Sequence, residues 1–418
     1  MNEAHSAPAA ALGVSEARML FLVSAVQFIN ILDFMMVMPL GPDFAKDLGI
    51  PLSSLGVIGG SYTAAAAVAG IVASRFLDRF DRRPALAVAM LGLVSATALG
   101  GFARGLHTLM LARVLAGAFG GPATSLSLSI VADVIPPARR GHALGLVMTA
   151  FSVASVFGVP AGLELARLGS WRTPFFAIAA LGLLVAGSAL LLMPSLELHL
   201  HAAHTTRHAP VKDFLREPTV FLALAATATV MIASFSIIPN LSGYLQYNVG
   251  YPRDGLGVLY LAGGSVSFVA VQLMSRFVDR LGATFMAVIG TFFFLIILSV
   301  LFVLELRSVP VMLVFVVFMT SMALRGISLN TVASRVPAAH ERARFMSLQS
   351  AVQHMAAATG AVLSSNLLSE LPNHQLSGMS RVASLSIALG VLLPVLLGAC
   401  ERRVRHREQA LASAAGIG

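Results

Sequence analysis

One carboxylate and two arginines lie inside long apolar stretches of the sequence, where charged residues are rare. These residues are Asp33, Arg113 and Arg325. A charge near the middle of a membrane is costly unless it faces a partner or a water-filled cavity, so such residues are functional candidates by default. Burial disfavours the charged form of a carboxylic acid. Asp33 is therefore predicted to bind a proton or a cationic group of a substrate.

The surroundings of these charges leave alternatives open. Asn30 shares a helical face with Asp33 at a spacing of three residues, and Gln27 lies one turn earlier. Arginine keeps its proton in proteins, so each buried arginine requires an anion, carbonyl groups or water. Arg113 could form a purely structural pair with Asp33. Arg325 could either select an anionic group of a substrate or serve a structural role.

Histidines occur in two settings. His354 lies in an apolar stretch, and histidine is the side chain that changes charge nearest physiological pH, although a neutral histidine packed between helices is the favoured interpretation. His199, His201, His204 and His208 have a spacing that a metal could use. No Asp, Glu or Cys completes a preorganised set with them, so no metal site is predicted.

Composition excludes most soluble classes. Of the 418 residues, 57% are hydrophobic and 11% are charged, whereas soluble domains carry roughly 25% charged residues. The net charge of +9 would suggest nucleic acid in a soluble protein, but here the basic residues lie between apolar runs. The single cysteine, Cys400, excludes a disulfide framework. A cleaved signal peptide is not expected either.

Apolar runs of about 20 residues recur along the chain, and each is long enough to cross the hydrocarbon core as a helix. The runs lie near residues 18–40, 52–74, 84–102, 108–134, 142–166, 174–193, 219–240, 255–275, 284–304, 310–333, 345–369 and 379–400. We predict an all-α membrane protein with twelve transmembrane helices, spans 1 to 12, in two pseudo-symmetric six-helix bundles.

The predicted domains are an N-terminal bundle (1–193), a cytoplasmic linker (194–218), a C-terminal bundle (219–400) and a cytoplasmic tail (401–418). With the N-terminus inside, most of the 28 Lys and Arg residues fall on the cytoplasmic side. The positive-inside rule therefore places both termini in the cytoplasm.

The densest charge cluster joins spans 2 and 3. It reads Ser74-Arg75-Phe76-Leu77-Asp78-Arg79-Phe80-Asp81-Arg82-Arg83-Pro84, and much of it recurs half a chain later as Ser275-Arg276-Phe277-Val278-Asp279-Arg280-Leu281. Repetition at half the chain length indicates a duplicated membrane protein. The positive-inside rule explains the arginines but not the repeated aspartate, so a role beyond topology is predicted.

These motifs resemble those of the major facilitator superfamily. Residues 74–83 are similar to its loop signature Gly-x-x-x-Asp-Arg-x-Gly-Arg-Arg, with Ser74 and Asp81 in place of the two glycines. Arg113-Val114-Leu115-Ala116-Gly117 resembles the Arg-x-x-x-Gly signature of span 4. Gly158-Val159-Pro160-Ala161-Gly162, followed by Trp171-Arg172, is similar to the span 5 signature of the twelve-span drug and sugar efflux antiporters.

The resemblance implies a secondary active transporter that exports a small molecule (a drug, sugar or metabolite) by proton antiport through alternating access. Proton-coupled uptake of a small organic solute or siderophore is the second hypothesis, and a membrane-embedded enzyme is a remote third. The expected partners are the substrate, protons and the lipids of the inner (plasma) membrane, with a monomeric chain and no nucleic acid. No phosphate-loop or hydrolase motif occurs, so neither direct ATP drive, an enzyme activity nor a cofactor is expected.

The resemblance also implies roles for particular residues. The residues of an expected cytoplasmic latch are Asp78, Arg79, Arg82, Arg83, Asp133, Asp279 and Arg280. Arg82 and Arg83 can both reach Asp133, and Asp81 is expected to hold the arginines of the first copy more tightly. The candidates for a substrate cavity near the midplane are Gln27, Asn30, Asp33, Tyr62, Arg113, Asn240, Arg325, Asn330 and His354.

Small residues predict where helices pack closely. The stripe Ala64-Ala65-Ala66-Ala67 of span 2 and the glycines of span 4, Gly117, Gly120 and Gly121, are typical of such faces. The residues Gly158, Pro160 and Gly162 are expected to bend span 5 and let it pack beside the other half of the protein.

Overall fold

The computed structural model describes residues 15–73, 77–136, 139–197, 211–306, 308–337 and 341–414. The four linker histidines, and the side chains of Asp78 and Asp279, lie outside the described residues. The chain divides into two compact units, Met1–Thr205 and Thr206–Gly418.

Within the described residues, the N-terminal unit is built from long helices α1 to α6. Their bounds are Glu16–Met36, Leu55–Ala73, Arg82–Gly101, Leu106–Val134, Arg140–Leu168 and Arg172–Leu192. Polar side chains cap the N-termini of several of these helices. At the first turn of α1, the hydroxyl of Ser15 accepts a hydrogen bond from the backbone N–H of Arg18. A short helix, Gly41–Leu48, follows α1.

The C-terminal unit is built from α7 to α12. Their bounds are Pro218–Gly243, Leu256–Leu281, Ala283–Leu298, Val311–Arg335, Arg342–Leu367 and Met379–Ala414. Single π-helical turns, Tyr244–Asn248 and Ser299–Val303, extend α7 and α9. A short antiparallel hairpin, β1 (Ser369–Glu370) and β2 (Leu376–Ser377), connects α11 to α12.

The same pairs of helices pack in both units. In the N-terminal unit, α4 packs on α2 and α3, α1 packs on α4, α5 and α6, and α3 packs on α6. In the C-terminal unit, α10 packs on α8 and α9, α7 packs on α10, α11 and α12, and α9 packs on α12. This equivalence confirms the predicted architecture of two pseudo-symmetric six-helix bundles.

Most helix bounds agree with the predicted spans to within a few residues, with exceptions that include the ends of α1 and α12. Eleven helices of the described part are long and apolar enough to cross a membrane. The remaining one, α11, has 26 residues but carries more polar side chains, including Gln349 and Gln353. Helix α1 ends at Met36 rather than near 40, because Pro39 cannot continue the hydrogen-bond ladder. Helix α12 continues to Ala414, past the predicted end near 400.

Glycines of α4 bring its backbone against that of α2. A Cβ atom at Gly117 would overlap the carbonyl oxygen of Tyr62, and one at Gly121 would overlap the carbonyl oxygen of Ala66. Because backbone atoms cannot move aside as flexible side chains can, these two positions accept only glycine at this separation. The predicted close-packing faces of spans 2 and 4 therefore pack on each other.

The glycines of α5 face α1, where they let the two helices approach closely. A Cβ atom at Gly158 would lie 2.7 Å from Cδ1 of Leu32, and one at Gly162 would overlap the side chain of Met36. The predicted irregularity of span 5 takes the form of a π-helical turn, Ala154–Gly158. This turn precedes Pro160, which has no N–H to continue the helical ladder.

Candidate functional site

Asp33 on α1 and Arg113 on α4 form a buried ion pair. Nη1 of Arg113 donates to both carboxylate oxygens, at 3.2 Å to Oδ1 and 3.0 Å to Oδ2. Both side chains are 1% exposed. The hydroxyl of Thr97, on α3, also donates to Oδ1 at 2.7 Å. Three helices therefore meet at one carboxylate.

Arg113 is only partly satisfied by these contacts. Its Nε and Nη2 atoms have no hydrogen-bond partner in the described part of the chain. Its Cζ atom lies 5.2 Å from the centre of the Phe175 ring on α6, at the distance of a cation–π contact. Breaking a buried ion pair by neutralising one partner typically costs about 3–5 kcal/mol, because the other charge stays buried. Neutralising Asp33 would therefore leave the charge of Arg113 buried between α1 and α4.

One turn earlier on α1, Asn30 is the centre of a neutral hydrogen-bond network. The hydroxyl of Tyr62 donates to Oδ1 of Asn30 at 2.6 Å. The Nδ2 atom of Asn30 donates to the carbonyl of Gly120 at 2.9 Å and to the hydroxyl of Thr124 at 2.6 Å. These bonds tie α1 to both α2 and α4. Asn30 and Tyr62 thus lie near the ion pair, with their polar atoms engaged by the protein.

A narrow crevice reaches the ion pair. It is lined by Phe34, Val37, Gly59, Tyr62 and Arg113. The rings of Phe34 and Tyr62 stack with their centres 5.2 Å apart. A molecule approaching Arg113 from this side would have to displace one of the two rings.

The other predicted cavity residues differ in burial and in hydrogen bonding. Gln27 is buried on α1, and its Oε1 atom has no hydrogen-bond partner within the described ranges. In the C-terminal unit, Asn240 is buried, and its Nδ2 atom donates to the hydroxyl of Ser364 at 3.0 Å. Asn330 is exposed, and His354 is half-buried.

Arg325 on α10 differs from Arg113 because, among the described residues, no carboxylate pairs with it. Its side chain is 0% exposed. No acceptor in the described residues lies within hydrogen-bond distance of its Nε, Nη1 or Nη2 atoms. Its Cζ atom lies 3.9 Å from the centre of the Phe294 ring on α9. The C-terminal unit thus buries a guanidinium group whose one observed partner among these residues is an aromatic face.

The charged loop before α3 is tied to neighbouring helix ends. Nε of Arg82 donates to Oδ2 of Asp133 at 3.1 Å. Arg83, which was also predicted to reach Asp133, instead donates to the carbonyl of Met193 at 3.2 Å. Adjacent residues in the first turn of a helix point in different directions, so Arg82 and Arg83 do not both face Asp133. Arg79 and Arg280 are exposed.

Asp81 caps α3, which corrects the expectation that it holds arginine side chains. Its carboxylate accepts from the backbone N–H groups of Arg83 and Leu196, both at 2.9 Å, and from the hydroxyl of Ser195 at 2.7 Å. Burial by itself would raise the pKa of this carboxyl. The hydrogen bonds and the nearby Arg83 charge outweigh burial and hold the pKa below its ordinary value.

Asp81→Ala is expected to destabilise the N-terminal unit by about 1 kcal/mol, the typical effect of losing a helix cap. Thermal unfolding of the purified protein at neutral pH measures this, with Asp81→Asn as the control that keeps a capping oxygen. Because the folded-state pKa is depressed, the stabilisation is complete above the ordinary value of 3.8 and is lost as pH falls through the lower folded-state pKa. Equal melting temperatures of wild type and Asp81→Ala at neutral pH would contradict this role.

Sequence reasoning missed the residues that complete these contacts. Thr97, Thr124 and Phe294 lie in apolar runs with no motif to mark them. The only feature of the sequence that could have indicated Thr97 is its hydroxyl, on a helix that could pack beside the buried charges. Among the described residues, no group of three or more His, Cys, Asp or Glu side chains is placed to hold a metal ion.

Comparison with known proteins adds evolutionary evidence. The model of the Major Facilitator Superfamily matches residues 23–361. The chain is 27% identical over 258 residues to a chloramphenicol resistance protein of Streptomyces lividans, a match that covers 61% of this chain and 65% of that protein. It is 28% identical over 256 residues to the purine ribonucleoside efflux pump NepI of Escherichia coli, covering 60% and 62% of the two chains. The matches therefore span less than two thirds of the length of these relatives.

Solved structures agree at the level of fold. A bacterial homologue of the human lysosomal transporter Spinster superposes with a TM-score of 0.70 at 15% identity, covering 92% of this chain and 97% of that one. A variant of the nucleoside transporter NupG gives a TM-score of 0.70 at 12% identity, covering 91% and 99%. The relatives and the fold are those of transporters, so the prediction that the chain is not an enzyme is confirmed. This multi-pass membrane protein belongs to the Major Facilitator Superfamily.

Proposed function

We propose that this protein exports a small molecule by proton antiport through alternating access, and that Asp33 and Arg113 are its coupling pair. The observation that carries the proposal is the buried ion pair, with Nη1 of Arg113 3.0 Å from Oδ2 of Asp33. A carboxylate buried where α1, α3 and α4 meet can bind a proton, and its contacts with these helices then change.

The coupling step follows from this geometry. When Asp33 is ionised, its carboxylate neutralises Arg113 and holds α1 against α4. When a proton binds to the carboxylate, the attraction is lost and the arginine charge stays buried, which favours a conformation in which Arg113 is better solvated. A proton entering from the outside and leaving to the cytoplasm would drive the substrate in the opposite direction.

Export is favoured over uptake by the relatives. Those named above are a resistance protein and an efflux pump, and a multidrug resistance protein of Bacillus subtilis is 24% identical over 277 residues. The basic residues support a location in the inner (plasma) membrane with both termini cytoplasmic. We expect the monomeric chain to be the transporting unit.

The test is accumulation in everted membrane vesicles, whose interior corresponds to the outside of the cell. The probes are chloramphenicol, the purine ribonucleoside inosine and the cationic dye ethidium. At least one probe should accumulate above the level of vesicles lacking the protein, and a protonophore should abolish that accumulation. Accumulation that persists when the proton gradient is collapsed would contradict proton antiport.

The charged loops at 74–83 and 275–281 are proposed to act as a cytoplasmic latch. Arg82 already ties the first loop to the end of α4 through Asp133. Asp78, whose side chain lies outside the described residues, is expected to complete the latch by facing a helix N-terminus, an interaction worth roughly 0.3–1 kcal/mol.

Asp78→Asn is expected to abolish transport while leaving the amount of protein in the membrane unchanged. Vesicle accumulation together with immunoblotting measures both quantities. Asp254→Asn, at an exposed loop position before α8, is the matched control and should transport normally. Full transport by Asp78→Asn would contradict the latch and mean that the loop charges only set the membrane topology.

A further inference from the structure

The C-terminal unit also buries an arginine and a threonine on two adjoining helices, at positions that are not the repeat counterparts of Arg113 and Thr97. In the N-terminal unit, Arg113 on α4 and Thr97 on α3 both bind Asp33 on α1. In the C-terminal unit, α10 packs on α9 as α4 packs on α3. Helix α10 supplies Arg325, and α9 supplies Thr291, which is buried and whose hydroxyl has no hydrogen-bond partner in the described part.

Arg325 lies along α9, next to Gly290 and Phe294. A Cβ atom at Gly290 would be 3.1 Å from Cγ of Arg325, so the arginine side chain starts next to Gly290. Its guanidinium group ends over the Phe294 ring, one turn further along α9. Thr291 follows Gly290 in the chain and shares a helical face with Phe294 at a spacing of three residues.

Among the described residues, no carboxylate is hydrogen-bonded to Arg325. Helix α7, the counterpart of α1, contains no Asp or Glu, and neither do α9, α10 and α11. At the position of Asp33 in the repeat, α7 has an apolar side chain, Phe235. The nearby hydroxyls of Ser321 and Ser328 donate to carbonyls of their own helix, those of Phe318 and Leu324.

A guanidinium group in this position has unused binding capacity. The aromatic face of Phe294 attracts the cation but accepts none of its in-plane N–H groups. Those N–H groups form a planar fork that matches a carboxylate with two parallel hydrogen bonds. An anion that reached them would relieve the burial of an uncompensated charge, as Asp33 does for Arg113.

We infer that Arg325 and Thr291 form an anion site that binds the carboxylate of a small acid with an apolar body. The carboxylate would accept from the guanidinium of Arg325 and from the hydroxyl of Thr291. The apolar body suits the surroundings, because Phe294 stacks on Phe318 with ring centres 6.0 Å apart and Leu324 adjoins the arginine. The inference concerns binding at this site, and it depends neither on proton coupling nor on which molecule the protein transports.

The test measures thermal unfolding of the purified full-length protein in detergent as a function of added benzoate. Benzamide, which has the same ring and no charge, is the control ligand. A ligand that binds the folded state raises the melting temperature with concentration. We expect benzoate to give a saturable increase and benzamide to give none.

Three variants locate the effect. Arg325→Met keeps an unbranched side chain without charge and should lose the benzoate response. Thr291→Val keeps the shape of threonine without its hydroxyl and should weaken apparent benzoate binding by about tenfold, equivalent to roughly 1.4 kcal/mol. Arg381→Met, at an exposed position near the start of α12, should respond like the wild type.

A benzoate response that is absent from the wild type, or that survives unchanged in Arg325→Met, would overturn the inference. If Arg325→Met does not fold, an unchanged response in Thr291→Val would overturn it as well. The Asp33→Asn variant separates the two proposals, because it should lose proton-driven export and keep the benzoate response. Loss of export in wild-type vesicles with an intact benzoate response would count against the proposed function alone.

Discussion

Asp33→Asn is expected to lose proton-driven accumulation of substrate while still letting substrate equilibrate across the membrane. Asparagine keeps the shape of the side chain and can still accept from Thr97 and Arg113, but it cannot bind and release a proton. Without that step the proton gradient cannot bias the conformational equilibrium. Accumulation in everted vesicles should fall by at least about tenfold, the equivalent of roughly 1.4 kcal/mol of lost coupling.

The same substitution leaves Arg113 buried without a counter-ion, so stability has to be measured separately. Truncating one partner of a buried pair costs about 3–5 kcal/mol. The double variant Asp33→Asn with Arg113→Gln removes both charges and should recover much of the stability lost in the single variant. It should still fail to accumulate substrate. Recovery of accumulation together with stability would reduce the ion pair to a structural role.

Gly117→Ala is expected to lower the stability of the folded protein strongly. The added Cβ atom would overlap the backbone carbonyl of Tyr62, so α2 and α4 must separate. Separation would also disturb the hydrogen bonds of Asn30, because its partners Tyr62 and Gly120 lie on those two helices. Overpacking of a well-packed interior typically costs about 1–3 kcal/mol.

The matched control is Gly70→Ala, on α2, where an added Cβ atom meets nothing within 4 Å. Fluorescence-detected size-exclusion chromatography after heating compares the two variants. Gly117→Ala should melt at a clearly lower temperature than the wild type, and Gly70→Ala should be equal to it or slightly more stable, since alanine favours the helix. Equal melting temperatures for both variants would contradict the close contact.

The fold was largely predictable because the signals are physical and repeated. Twelve apolar runs and a charged loop that recurs half a chain later predict two six-helix bundles, and the packing of each bundle agrees. The ends of α1 and α12 were less predictable. The first depends on how Pro39 interrupts a helix inside an apolar run, and the second depends on a helix that continues into a charged segment.

The candidate site was predictable in its charges but not in its contacts. Asp33 and Arg113 stand out because charges are rare in apolar runs, and their pairing was one of the stated alternatives. Thr97 and Thr291 do not stand out in the sequence. Threonine is common inside buried helices, because a backbone carbonyl of the same helix can accept a hydrogen bond from its hydroxyl. The different surroundings of Arg113 and Arg325 follow from which helices pack together, and spacing along the chain does not encode that.

The central claim is that Asp33 carries the exchanged proton. The most direct measurement is proton movement driven by substrate in everted vesicles, with a pH-sensitive dye reporting the internal acidity and the transported probe added as a pulse. For the wild type, addition of the probe should partly dissipate the imposed proton gradient. For Asp33→Asn, present in the membrane at the same level, the gradient should remain unchanged. Equal dissipation by the wild type and Asp33→Asn would contradict the claim.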